Sequence, residues 1–190
     1  MSKGIAVPAS DDLPNREQSA FLEDAVDRYG RATYNFAYRL TQNDADARDL
    51  TQEAFFRVFR AWKSFKPGTS FLSWIYRIVT NLHRDELRRH KGRYLVEIPD
   101  DNEPRAAGSR LEQDPIGDYV ESQFSEEVSR ALAQLSPEQR RIVVLADIEE
   151  CSYQEIAGIV GCSIGTVRSR LHRARGQLRR LVERELKSST

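Results

Sequence analysis

Apolar residues recur along the N-terminal half of this chain at steps of three and four, not two. Leu22, Val26, Tyr29, Phe36 and Leu40, with Thr33 in register, make one such series, the spacing that lines one face of an α-helix. Asn43–Asp44 interrupts it. A second helix carries Leu50, Ala54, Phe55, Val58, Phe59 and Trp62. Lys66-Pro67-Gly68-Thr69 then reads as a turn, and a third helix reaching about His90 buries Leu72, Ile75, Ile78, Val79 and Leu82. Three amphipathic helices in succession predict a small bundle.

Between Gly92 and roughly Phe124 no period survives. Pro99, Asp100, Asp101, Asn102, Pro104, Gly108, Asp114, Pro115 and Gly117 break every register. A structureless stretch of this length is unusual inside a compact domain, so it marks a boundary. The expected fold is therefore all-α: a flexible tail over 1–17, a helical domain over 18–92, a flexible acidic linker over 93–124, and a second helical domain over 125–190.

The second domain announces its helix starts. Ser136-Pro137-Glu138-Gln139 places Ser at the N-cap, Pro at the first helical position and Gln at the third, which makes a capping box. Ser152-Tyr153-Gln154-Glu155 repeats the arrangement, and Ser163 stands three residues ahead of Thr166. Within Ser152–Arg175, Ile156, Ala157 and Val160 share one helical face and Gly161 permits a turn. Val167 and Leu171 then face inward from the next helix. Helix, glycine turn, helix is the helix-turn-helix layout, whose second helix enters the DNA major groove.

A formal net charge of zero conceals strong segregation. Arg84–Arg93 carries +3, Tyr94–Val128 carries −8 and Thr166–Lys187 carries +6. Two basic blocks divided by an acidic connector point to two nucleic-acid contacts. On the helix after the glycine turn, Arg168, Ser169, His172, Arg173 and Arg175 lie opposite or beside the inward face. Arginine there can donate two hydrogen bonds to guanine, and Ser or His can bond bases or phosphates. Arg179 and Arg180 fall where phosphates would run. The plainer alternative is a solvated basic helix.

A second stripe steps along the third helix of the first domain: Ser70, Trp74, Arg77, Asn81, Arg84 and Arg88. An aromatic plane among cations and an amide suits unpaired bases. The alternative has Trp74 capping the core beside solvated arginines. On the second helix, Asp46, Asp49, Gln52, Glu53 and Arg57 form a largely acidic flank next to the expected exposed edges of Phe56 and Leu50, either a docking face for a basic protein helix or a solvated surface.

Several classes drop away. The chain lacks a Gly-rich phosphate loop, a paired metal-ligand motif and a Ser or Cys nucleophile motif, and His83, His90 and His172 are scattered, so an enzyme is not expected, nor a cofactor. No run approaches the ~20 apolar residues of a membrane span, and Met1–Asp12 has no signal-peptide core; a cytoplasmic protein without membrane insertion is expected. Cys151 and Cys162 read as buried thiols in a reducing compartment. A helix-turn-helix regulator that never joins a polymerase is the main rival reading, and a helical adaptor that binds only proteins leaves the basic blocks unexplained.

These residues resemble the extracytoplasmic-function (ECF) sigma factors of bacterial RNA polymerase, over about residues 19–92 and 125–182. DARDLTQEAFFRVFRAW looks like the helix that binds core polymerase, FLSWIYRIVTNLHRDELRR like the helix that opens and reads the −10 element, and LSPEQRRIVVLADIEECSYQEIAGIVGCSIGTVRSRLHRARGQL like the domain that reads the −35 element. The resemblance implies that Asp49, Gln52, Glu53 and Phe56 face the clamp helices of the largest polymerase subunit, and that the second-largest subunit's flap is a further contact. It implies −10 contacts from Trp74, Arg77, Asn81, Arg84 and Arg88, with the Phe65–Ser70 turn bordering a flipped base. It implies −35 contacts from Ser163, Thr166, Arg168, Ser169, His172, Arg173 and Arg175. His172 sits where the family also places aromatic residues. An anti-sigma protein is a further implied partner, and the acidic linker would thread the polymerase cleft.

Overall fold

The structure, a computed structural model, describes residues 16–66, 68–94 and 126–188, the side chains of 91–94 excepted. The expected tail before residue 16 and the expected acidic linker from residue 95 onward lie outside these residues. Every regular element among the described residues is helical. α1 (Arg16–Thr41), α2 (Asp44–Ala61) and α3 (Phe71–Tyr94) form the N-terminal bundle, with a single 3₁₀ turn at Trp62–Ser64. α4 (Glu126–Ala133), α5 (Pro137–Val143), α6 (Tyr153–Val160) and α7 (Ile164–Ser188) form the C-terminal unit.

Local chemistry sets the boundaries. Gln42 closes α1 in the left-handed region at φ 57°, its amide donating to Tyr38 O at 2.7 Å. Asn43 then caps α2 by accepting from the Asp46 amide at 3.0 Å, and Asp44 and Asp46 favour the positive end of the helix dipole. Between α2 and α3, Thr69 N–H donates to Lys66 O at 3.2 Å around Gly68, whose φ of 88° a side chain would resist. Both predicted capping boxes are present, Ser136 with Gln139 and Ser152 with Glu155.

The bundle core holds Phe36, Ala37, Leu40, Ala54, Val58, Ile75, Tyr76 and Val79, all almost fully buried. Phe36 and Tyr76 stack with centroids 4.3 Å apart. Two expected assignments change. Val26 is 42% exposed while Leu50 is 5% exposed, because the face of α1 that meets α2 and α3 rotates toward Ala25, and Leu50 points inward beside Ala54. The cysteines also differ from expectation: Cys151 and Cys162 are half-buried, not buried. Burial, then Glu155 and Glu149, pushes the Cys151 thiol up to about 11, so it stays protonated at neutral pH.

Sequence alone treats the two units as free to move independently; in the structure they pack together. Val144, Leu145, Ile156, Ile159 and Val167 join the same apolar cluster as the α1–α3 core. A second, smaller cluster of Leu132, Leu135, Ile142, Leu171 and Leu181 lies inside the C-terminal unit. The bridge depends on a π-helical turn, Val144–Ile148, that continues α5. Its extra residue per turn rotates the side chains beyond it to new directions. Asp147 faces α7, while Glu149 faces the bundle.

Glu149 accepts a 2.7 Å hydrogen bond from Arg39 Nη1 and another from the Tyr76 hydroxyl. The Arg39 and Glu149 side chains are only 8% and 11% exposed. Burial, with Glu149 next, drives the Tyr76 phenol far above its ordinary range. Ser73 Oγ donates to Glu155 at 2.8 Å and Arg140 Nη1 to Leu40 O at 2.8 Å, completing the seam. Removing one member of a buried pair costs about 3–5 kcal/mol. Since the partners of Glu149 lie on the other unit, Glu149→Ala should weaken docking by that order and enlarge the particle in small-angle scattering, with helix content by circular dichroism unchanged.

His83 lies inside the same seam, 5% exposed. Burial first, then the charges of Arg141 and Arg140, hold it down to about 4. It is therefore neutral when folded, whereas an unfolded histidine titrates near ~6.5. Its contribution is present above the unfolded value and is lost as pH falls toward about 4. His83→Leu should flatten the fall in thermal midpoint between pH ~6.5 and about 4 relative to the natural chain.

Candidate nucleic-acid interface

α6 ends on Gly161 in the left-handed region, φ 74° and ψ 46°, with its amide bonded to Ala157 O. Cys162 N–H donates to the same carbonyl at 3.1 Å. Ser163 Oγ accepts from the Thr166 amide at 3.1 Å and lies 2.9 Å from its hydroxyl, starting α7. Val167, Leu171, Ala174 and Leu181 then anchor α7 on α4, α5 and α6. With that face fixed inward, Arg168, Ser169, His172 and Arg173 are exposed together on the opposite side, and Thr166 is half-buried at the helix start. This is a helix-turn-helix with a free, cationic second helix.

Intramolecular contacts pre-orient several of these side chains. Ser169 Oγ donates to Thr166 O at 3.0 Å, and Arg173 Nε to Ser169 O at 3.3 Å. The Arg168 guanidinium sits 5.9 Å from the Tyr153 ring centroid, a cation–π distance. Arg175 differs. Its Nε donates to both Asp147 oxygens, at 3.2 and 3.1 Å, and its Nη2 reaches Asp147 as well. That pairing, foremost among the causes, raises the Arg175 pKa. Arg175 thus straps α7 to the π-helical turn, leaving the outward row to Arg168, Ser169, His172 and Arg173. Asp147 and Tyr153 were not singled out in the sequence. Asp147 stands 28 residues before Arg175, and no helical spacing connects them.

On α3, Arg77 and Arg88 are exposed, as is Ser70, which caps the helix by accepting from the Ser73 amide at 3.2 Å. Asn81 and Arg84 are half-buried. Trp74 is half-buried too, packed against Phe65 at 5.4 Å and Phe71 at 5.6 Å within an aromatic group that includes Phe21 and Tyr29. Trp74 therefore caps the bundle core with one edge and stays partly open with the rest. The stripe is not swallowed by the fold, although its Ser73 flank touches α6 through Glu155.

On α2, Asp49, Gln52, Glu53 and Phe56 are all exposed, spaced to share one face. Phe56 is 51% exposed, with the Arg60 guanidinium 5.7 Å from its ring, and Glu53 pairs with Arg57 at 3.0 Å. The sequence grouped Leu50 with this face; the structure turns it into the core. Among the described residues no group of His, Cys, Asp or Glu is placed to hold a metal ion, and no helix is long and apolar enough to cross a membrane.

The described residues are all-helical, with a helix-turn-helix at one end, a cationic aromatic stripe on the N-terminal bundle and an exposed acidic helix face; a helix-turn-helix of this layout defines a class of DNA-binding proteins. Comparison with known proteins narrows the class. Residues 25–93 match the family model for sigma-70 region 2, and residues 125–178 that for sigma-70 region 4. The chain is 44% identical, over 83% of its length, to the ECF RNA polymerase sigma factor SigE of Mycolicibacterium smegmatis, of which it spans 60%. It is 34% identical to the ECF sigma factor SigW of Bacillus subtilis, covering 86% of this chain and 89% of that protein.

Among solved structures it is similar to the sigma factor RpoE of Bartonella quintana in complex with the anti-sigma factor NepR. The TM-score is 0.66 at 25% identity, over 87% of this chain and 98% of that one. CnrH, in complex with the cytosolic domain of CnrY, shares the fold at TM-score 0.59 and 24% identity, over 87% and 89% of the two chains. The chain belongs to the ECF sigma factors, alternative sigma factors that direct RNA polymerase to promoters and are themselves non-catalytic subunits. Both matches in sequence order set aside a helix-turn-helix regulator working without the polymerase.

Gly161 makes the turn. A Cβ there would meet nothing within 4 Å, so only the positive φ opposes a side chain. Gly161→Ala should lower stability by about 1 kcal/mol, read as a fall in thermal midpoint, and Gly161→Asn should lose less because Asn tolerates that region better.

Proposed function

We propose that the chain docks on bacterial core polymerase through Asp49, Gln52, Glu53 and Phe56 of α2, against the clamp helices of the largest subunit, while the C-terminal unit meets the flap of the second-largest. Ser163, Thr166, Arg168, Ser169, His172 and Arg173 address the −35 duplex. Arg175, strapped to Asp147, faces the backbone beside them. Trp74, Arg77, Asn81, Arg84 and Arg88 hold the melted −10 strand. The chain works in the cytoplasm, where its promoter DNA lies, and an anti-sigma partner is supported by the RpoE structure solved with NepR.

The observation that carries the promoter reading is the outward row on α7, fixed by the burial of Val167 and Leu171 on its other side. The docked arrangement adds a constraint. Elements at −35 and −10 are about 25 base pairs apart, or roughly 85 Å at about 3.4 Å per step. A compact chain of the ~140 described residues has a radius of gyration of only about 14 Å. Docked units cannot occupy both elements. The polymerase must hold them apart, which converts two weak DNA contacts into one joint engagement of high effective concentration.

Reconstitution with core polymerase on a linear promoter tests this: start-site selection should require the chain. Arg168→Ala or Arg173→Ala should cost about 1–3 kcal/mol at one upstream position when promoter variants are ranked. Uniform loss across all −35 sequences would contradict base reading by these side chains.

A further inference from the structure

The arginines on the outward side of α7 are not held alike. Arg173 Nε is taken by the Ser169 carbonyl at 3.3 Å. Arg175, beside the row, gives Nε and Nη2 to Asp147. Arg168 makes no hydrogen bond and no ion pair among the described residues. Its guanidinium lies over the Tyr153 ring instead, 5.9 Å from the centroid.

The start of α6 places that ring. Tyr153 is the first residue of the helix. It follows Ser152, whose hydroxyl accepts from the Glu155 amide at 3.3 Å while its own amide donates to the Glu155 carboxylate at 2.9 Å. Ser163 caps α7 by accepting from Thr166, so ring and guanidinium are each carried near a fixed helix start. Tyr153 is 37% exposed, whereas the core tyrosines Tyr34 and Tyr76 are 8% and 2% exposed. Its ring is therefore not a core element of the same kind.

The form of the restraint matters. A carboxylate or a carbonyl holds an arginine by consuming N–H groups that a base would need. A ring holds the guanidinium by its face and leaves its five N–H donors for a paired contact with one base edge. We propose that Tyr153 is the positioning residue of Arg168: its ring holds the guanidinium in the orientation that reads one upstream base, and so sets discrimination at that position. The inference rests on the reading of α7 as the −35 face, and it gives Tyr153 no DNA contact of its own.

The test uses core polymerase reconstituted with the full chain, on promoters varied one position at a time across the −35 element. Arg168→Ala first identifies the position that Arg168 reads. Tyr153→Leu removes the ring and keeps apolar bulk. It should lose about two- to fivefold of the discrimination at that position and none elsewhere, the range of an exposed cation–π contact. Tyr153→Phe should restore it. In an Arg168→Ala background, Tyr153→Leu should change nothing further. A role confined to holding the fold would weaken every promoter alike, and a direct tyrosine–DNA contact would persist without Arg168; either result overturns the proposal.

A second measurement avoids the leucine variant. In the free natural chain and in Tyr153→Phe, the ring current should move the Arg168 Nε–H proton resonance upfield of that of Arg179, which is exposed further along α7. Coincident resonances would overturn the proposal without reference to DNA. Uniform loss from Arg168→Ala would remove the base reading and the inference with it. Position-specific loss from Arg168→Ala with natural discrimination in Tyr153→Leu overturns the inference alone.

Discussion

The Glu149 carboxylate, almost removed from water and held by Arg39 and Tyr76, governs how the two helical units sit. A buried ion pair of this kind adds little stability over well-packed apolar side chains, because desolvation offsets most of the Coulomb attraction. Its value lies in geometry. An apolar patch such as Val144, Leu145, Ile156 and Ile159 could slide on the bundle at small cost, whereas a carboxylate that must meet both a guanidinium and a phenol admits one register. The π-helical turn is what delivers Glu149 to that point and Asp147 to α7.

Apolar burial and the Glu149 contacts hold the units together. The basic faces stay available in the docked form: Arg168, Ser169, His172 and Arg173 on α7, and Arg77 and Arg88 on α3, are exposed. The docked form thus limits reach without hiding the side chains.

Within the helix-turn-helix, the outward row depends on short-range chemistry at each step. A capped start at Ser163, a left-handed glycine at 161 and two inward apolar residues fix the rotation of α7 to within a fraction of a turn. Arg168 beside Tyr153 and Arg173 on the Ser169 carbonyl lose part of their rotamer freedom in the free chain, so less side-chain entropy is left to lose in any contact they make. Arg175 is used differently, as a strap to Asp147.

Helix positions, the caps at Ser136, Ser152 and Ser163, the glycine turn and the outward face of α7 were all legible in the sequence. Each rests on interactions between residues three or four apart, and local spacing records those directly. The exposed faces of α1, α2 and α3 were largely legible for the same reason, with errors at Val26 on α1 and Leu50 on α2, where the packing of neighbouring helices rotated the buried face. Contacts of long sequence separation were not legible: Glu149 with Arg39 lies 110 residues apart and with Tyr76 73. Charge counts could not show that Arg140 of the C-terminal unit would reach the Leu40 carbonyl of the bundle. Periodicity determines which side of a helix is apolar; only the folded chain, by bringing distant segments within a few ångströms, decides which apolar sides meet and which charges are trapped between them.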